Sequence, residues 1–63
     1  MDIELMQLNG LINYTPGLGA KKAAALLRRF SSVAGIGAAS EDELRQVEGI
    51  GPAMARRIKE VLT

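Results

Sequence analysis

Residues 16–23 read PGLGAKKA and residues 48–55 read EGIGPAMA. Each spells Gly, one apolar residue and Gly ahead of a stretch suited to a helix, and Gly49 follows Gly17 by 32 positions. Sliding the chain by 32 sets Ile12 over Leu44, Gly17 over Gly49, Leu18 over Ile50, Gly19 over Gly51, Ala23 over Ala55, Leu26 over Ile58 and Phe30 over Leu62. A register this extended marks an internal repeat whose unit is a short helix, a tight turn and a longer helix. Paired copies close a core that neither closes alone.

The turn dictates its own residues. Gly17 and Gly49 follow short helices, where a positive φ ends the helix and a Cβ would clash. Leu18 and Ile50, flanked by glycines, are expected to point inward as plugs between the helices. Gly19 and Gly51 leave the first N–H groups of the next helix uncovered, and such amides can hold an anion. The expected donors are the amides of Gly19, Lys21 and Lys22 in the first copy. In the second they are those of Gly51, Ala53 and Met54, since Pro52 has no N–H.

The segments around the turns read as helices. Ala23, Leu26, Leu27 and Phe30 recur at i, i+3, i+4 and i+7, so residues 20–30 form an amphipathic helix with Lys21, Lys22, Arg28 and Arg29 on the other face. Ser31 and Ser32 interrupt it, and Val33 to Ile36 reads as a short helical turn ended by Gly35 or Gly37. Ser40 followed by Glu43 is a capping box, which predicts a helix start there, with Leu44 and Val47 inward and an end at Glu48 and Gly49. Acids in its first turn suit the helix dipole. Pro52 fits the first turn of the last helix, whose stripe is Ala55, Ile58, Val61 and Leu62. At the amino terminus, Asn9-Gly10 predicts a break between a helix from about Asp2 to Leu8 and a second from about Asn9 to Tyr14.

A chain of 63 residues is one domain, since it buries only about 60% of its unfolded surface and cannot divide its core. Cysteine and histidine are absent, so no disulfide or zinc site staples it. No apolar run approaches the roughly 20 residues of a membrane span, and Met1 is followed by Asp2 and Glu4 rather than a basic leader. The expectation is an intracellular domain, in cytoplasm and nucleoid or in a nucleus, with no membrane partner. Net charge is +1, but it is segregated. Two basic segments, each holding a Gly-apolar-Gly element, flank an acidic one around Glu41, Asp42, Glu43 and Glu48.

PGLGAKKAAALLRRF and ASEDELRQVEGIGPAMARRIKEVL resemble the helix-hairpin-helix motif in tandem. They are similar to the carboxy-terminal domains of the bacterial excinuclease C proteins and of XPF-type structure-specific nucleases. The resemblance spans about residues 9–62. It implies an all-α, compact five-helix tandem helix-hairpin-helix domain with a pseudo-two-fold repeat and a connector helix. The single domain, 1–63, then divides into a first unit of about 9–30, a connector of about 31–39 and a second unit of about 40–62. The resemblance further implies a role in DNA repair, binding double-stranded DNA by its phosphate backbone without sequence preference, one hairpin per strand across the minor groove. No cofactor is implied beyond a monovalent cation that backbone carbonyls hold in some such hairpins.

The DNA-binding candidates are Gly17, Leu18, Gly19, Ala20, Lys21 and Lys22 in the first hairpin and Gly49, Ile50, Gly51, Ala53, Met54, Arg56 and Arg57 in the second. Against each stands a structural reading. The glycines serve turns, the lysines a solvated face, and Leu18, Ile50, Phe30 and the methionines a core. Arg28 and Arg29 complement a helix carboxy terminus, and Tyr14 is one aromatic rather than a stacking platform. Ala53 and Met54 stand where DNA-binding copies of the motif often carry polar or basic residues, so the first hairpin, with lysines at its mouth, is expected to grip more firmly. No catalytic or metal-binding set is expected. Glu41, Asp42 and Glu43 are consecutive on a helix, so they diverge, and the capping box accounts for them. The rival reading is a protein-interaction module that pairs with itself or with a partner nuclease through the apolar residues near the amino terminus; a minimal scaffold with weak nucleic-acid binding is the third.

Overall fold

The computed structural model describes residues 2–62, which form five helices and no strand. In chain order these are α1 (Ile3–Tyr14), α2 (Ala20–Phe30), α3 (Val33–Ala38), α4 (Glu41–Arg45) and α5 (Pro52–Leu62). The fold is all-α, as the residue pattern predicts.

Side-chain caps set where three of the helices begin. Asp2 accepts from the amides of Glu4 at 3.0 Å and Leu5 at 3.4 Å to open α1, and Ser32 Oγ accepts from Gly35 at 2.9 Å to open α3. The predicted capping box opens α4: Ser40 Oγ accepts from the Glu43 amide at 3.1 Å, and Glu43 Oε1 accepts from the Ser40 amide at 2.9 Å. By contrast, α2 and α5 follow Gly19 and Gly51, and α2 has no side-chain cap.

The repeat is present in the hydrogen bonds as well as the residues. Leu18 N–H donates to Thr15 O at 3.0 Å, and 32 residues later Ile50 N–H donates to Val47 O at 3.1 Å. Thr15 N–H to Ile12 O is matched by Val47 N–H to Leu44 O, and Ala23 N–H to Gly19 O by Ala55 N–H to Gly51 O. Gly17 and Gly49 have φ of 88° and 89°, in the left-handed region that a Cβ disfavours. Each therefore turns the chain out of one helix toward the next.

The units share one core. Leu18 and Ile50 are buried plugs, and Ala23, Leu26, Ala55 and Ile58 are fully buried on the matching faces of α2 and α5. Their neighbours include Leu8 and Leu11 of α1, Val33 and Ile36 of α3, Leu44 of α4, and Ala39 and Val47. The alanines at 23 and 55 have no exposed surface, which fits their place at the closest approach of each helix to the rest of the core.

Three expectations about boundaries need correction. First, α1 is continuous through Asn9-Gly10. Leu8 and Leu11, on either side of that dipeptide, are both buried, and their packing outweighs the roughly 1 kcal/mol that an interior glycine costs relative to alanine. Second, neither Gly35 nor Gly37 ends the connector, because α3 runs through both to Ala38. A Cβ on Gly35 would lie 2.2 Å from Phe30 O, and one on Gly37 would lie 3.4 Å from Leu62 Cβ. At Gly35 the missing side chain lets α3 close against the end of α2. Third, α4 stops at Arg45 rather than at Glu48 and Gly49, because Gln46 and Val47 donate to Glu43 O and Leu44 O in tight turns. Val47 is buried from that turn and not from the helix.

Polar ties fix the packing of the helices. Glu4 Oε1 accepts from the Val33 amide, so α1 supplies a second acceptor at the start of α3. Lys59 Nζ donates to Gly37 O at 2.5 Å, joining α5 to α3.

Candidate functional site

The backbone at the mouth of each hairpin carries donors that the fold does not use. Among the described residues, no acceptor is found for the amides of Gly19, Ala20, Lys21 and Lys22, or for those of Gly51, Ala53 and Met54. These are the first N–H groups of the 11-residue helices α2 and α5, where the dipole is positive. Open amides at a helix start are the kind of donor set that can hold an anion.

The fold does not require glycine at Gly19 or Gly51 for want of room. A Cβ built on either meets nothing within 4 Å, and Gly19 has an ordinary extended φ of −81°. Serine or aspartate there would cap the helix as Ser32, Ser40 and Asp2 do, and would occupy the same amides. Glycine keeps them open.

The candidate residues differ in what they offer. Leu18 and Ile50 are buried and their amides are spent on Thr15 O and Val47 O, so their side chains belong to the core. Ala20, Lys21, Ala53 and Arg56 are exposed at the start of α2 and along the first turns of α5. Lys21, Lys22 and Arg56 have no hydrogen bond or ion pair among the described residues. Arg57 Nε donates to Tyr14 O at 3.3 Å, which carries this second-unit cation to the end of α1, beside the first hairpin. The converse tie runs from Arg29 to Gln46 Oε1 at 2.8 Å, from α2 to the end of α4. The ends of α1 and α4 are thus each tied by an arginine of the other unit.

The same crossing recurs at the positive-φ glycines. An ideal Cβ on Gly17 would lie 3.3 Å from Met54 Cε, and one on Gly49 would lie 2.9, 3.5 and 3.6 Å from Lys22 Cε, Cδ and Cγ. Met54 therefore lies over the first hairpin and the Lys22 stem over the second. Assigning both lysines to the first mouth by chain position misses this. The available signal was that 22 and 54 are equivalent under the 32-residue shift, but which hairpin they cover depends on how the units dock.

The acidic cluster is occupied structurally. Glu43 serves the capping box, and its carboxyl is held below the ordinary carboxylate range, first by the Ser40 backbone hydrogen bond and then by the Ser40 hydroxyl. Asp42 pairs with Arg45 at 3.6 Å. No group of three or more His, Cys, Asp or Glu that could hold a metal is found among the described residues, and no helix is long and apolar enough to cross a membrane.

The chain is 58% identical over 43 residues to the UvrABC system protein C of Pseudarthrobacter chlorophenolicus, covering 68% of this chain and 6% of that protein. It is 44% identical over 52 residues to that of Acinetobacter baylyi, covering 82% and 9%. With that of Dehalococcoides mccartyi it shares 41% over 63 residues, covering 95% and 10%. The chain thus spans a tenth or less of the length of these relatives. No solved structure matches it. The model of the SAM-like helix-hairpin-helix tandem family matches residues 4–63, and the chain belongs to that family.

Proposed function

We propose that this chain is a DNA-binding domain of a repair protein that grips the phosphate backbone of duplex DNA without reading its sequence. We take residues 9–30 and 40–62 as its two binding units, each hairpin offering the open amides of α2 or α5 to one phosphate across the minor groove. The observation that carries this reading is the contrast in caps: α1, α3 and α4 close their first amides with side chains, whereas the helices after the two hairpins begin on glycine. The family and the UvrABC system protein C relatives point to the same chemistry.

Binding of this kind is electrostatic and positional. The amides and helix dipoles fix where two phosphates sit, while Lys21, Lys22 and Arg56 add charge that displaces counterions. The open amides are directed at phosphates, which carry no sequence information, so discrimination among sequences is not expected. The domain supplies binding, and the excision chemistry of a full-length repair protein would belong to other parts of it. A monovalent cation in a hairpin would be held by backbone carbonyls such as those of Thr15 and Val47, each of which has a second lone pair besides the one that accepts the turn amide.

Fluorescence anisotropy with a short labelled duplex at several salt concentrations tests the reading. Log affinity should fall with log salt at a slope of roughly −2 to −4, for about two to four neutralised phosphates, and scrambling the sequence should leave it unchanged. A salt-independent affinity contradicts it.

A second reading rests on a different surface. Ile3, Leu5, Met6 and Tyr14 of α1 are 67%, 56%, 53% and 68% exposed, and a groove between α1, α3 and α5 lies beside Gln7, Gly10 and Tyr14. Such a face suits a protein partner, whether a second copy or a nuclease. Sedimentation with and without duplex separates the two: a tight dimer indifferent to DNA favours the interaction module.

A further inference from the structure

The 32-residue equivalence of Lys22 and Met54 has a geometric consequence. Both occupy the third residue of the helix that follows a hairpin, both are half-buried, and each lies over the positive-φ glycine of the opposite unit. The contacts are reciprocal but the chemistry is not. One side chain ends in a methyl group and the other in an ammonium.

We infer that the two units exchange these side chains functionally: Lys22 of the first unit is the phosphate cation of the second hairpin, and Met54 of the second unit is an apolar cover on the first. The Lys22 stem runs along Gly49 from Cγ to Cε, which puts its ammonium, one bond further, within reach of the second hairpin. It has no hydrogen-bond or ion-pair partner among the described residues. The glycine at 49 has a second task besides its φ, since a Cβ would lie 2.9 Å from Lys22 Cε and push the stem aside. The second hairpin, which has Ala53 and Met54 in its own opening turn, gains by this route the charge that its local sequence lacks. The first keeps Lys21, with the Arg57 guanidinium at its flank. Loss of Lys22 should therefore be felt 27 or more residues away, at the amides of Gly49 to Met54, and less at its own hairpin.

This inference rests on the phosphate-binding reading above, and one titration distinguishes the two. Amide shifts are followed by two-dimensional NMR as a short duplex is added to the unmodified chain, to Lys22→Met and to Met54→Lys. Lys22→Met copies the residue found at 54, keeps the apolar stem and removes only the charge. It should weaken binding several-fold, lower the salt slope by about 1, and reduce the shifts of Gly51, Ala53 and Met54 more than those of Gly19 to Lys21. Met54→Lys, which adds a cation over Gly17, should strengthen binding and enlarge the shifts of the first hairpin. A Lys22→Met loss centred on the first hairpin, or no loss at all, overturns the exchange while leaving DNA binding intact. A duplex that moves neither hairpin of the unmodified chain overturns DNA binding itself, and the charge role of Lys22 with it.

Discussion

The two hairpins have nearly the same backbone and different surroundings. Their positive-φ glycines differ by one degree, their plugs and turn hydrogen bonds correspond position by position, and their open amides differ only where Pro52 replaces Ala20. Yet the first is covered by a thioether and flanked by Arg57, while the second is crossed by a lysine stem and approached through a capping box. The repeated backbone thus carries side chains that cross the pseudo-two-fold, Met54 to Gly17 and Lys22 to Gly49. Position in the chain is a poor guide to which hairpin a side chain covers.

The comparison breaks first at the glycines that turn the chain. Gly17→Ala and Gly49→Ala should each cost about 1–2 kcal/mol of stability, because alanine disfavours the left-handed region. For a domain of this size that lowers Tm by roughly 4–8 °C per kcal/mol, readable by circular dichroism. The stability losses should be similar, since the atoms a Cβ meets are the ends of flexible side chains. DNA affinity should separate them: Gly49→Ala also displaces Lys22 and should bind more weakly than Gly17→Ala.

Next come the open helix starts. Gly19→Asp and Gly51→Asp should raise stability by a few tenths of a kcal/mol, since aspartate is a better N-cap than glycine, yet weaken DNA binding by about tenfold as its carboxylate takes the amides and repels phosphate. Opposite signs for folding and binding at both positions are expected from thermal melts and anisotropy together. A variant that is more stable and binds normally would show that its hairpin does not hold a phosphate.

A smaller asymmetry lies beneath the turns. Thr15 and Val47 are equivalent and both buried, but Thr15 Oγ1 has no hydrogen-bond partner. Thr15→Val makes the first turn match the second and should stabilise the domain by about 1 kcal/mol, because a buried hydroxyl without a partner costs free energy that an apolar group of the same shape does not. Thermal denaturation measures it.

The smallest effect is a pH dependence confined to one unit. Glu43 has its carboxyl lowered by the Ser40 hydrogen bonds, so its contribution is fully present above the ordinary carboxylate range and is lost as pH falls through the lowered value. The corresponding positions of the first unit, Leu8 and Leu11, hold no such pair. On acidification, the protection of amides against exchange, relative to their intrinsic rates, should fall in residues 41–50 before residues 11–18, and Glu43→Gln should remove that difference.

Much of this was legible in the residues because it is local. Glycine between helices dictates a left-handed turn, an apolar residue between two glycines has little choice but the core, and Ser40 with Glu43 caps its own helix. The 32-residue register then supplied the pairing of units. What escaped depends on where distant segments meet. Asn9-Gly10 has the composition of a break, but Leu8 and Leu11 are held by residues far along the chain. Gly35 looks like a helix end and instead admits the carbonyl of Phe30. Glu4 stands in the first turn of α1, yet its carboxylate reaches the start of α3, a contact its local sequence does not announce. At the candidate site, sequence alone indicates the open amides, whereas the crossing of Lys22, Met54, Arg29 and Arg57 follows from the docking of the units.

Whether both hairpins grip one duplex together is read from an amide-shift titration of the unmodified chain with a short duplex. Residues 17–22 and 49–54 should shift along a single binding curve, with the exposed apolar face of α1 unmoved. Shifts confined to α1, or to one hairpin alone, would contradict the joint grip.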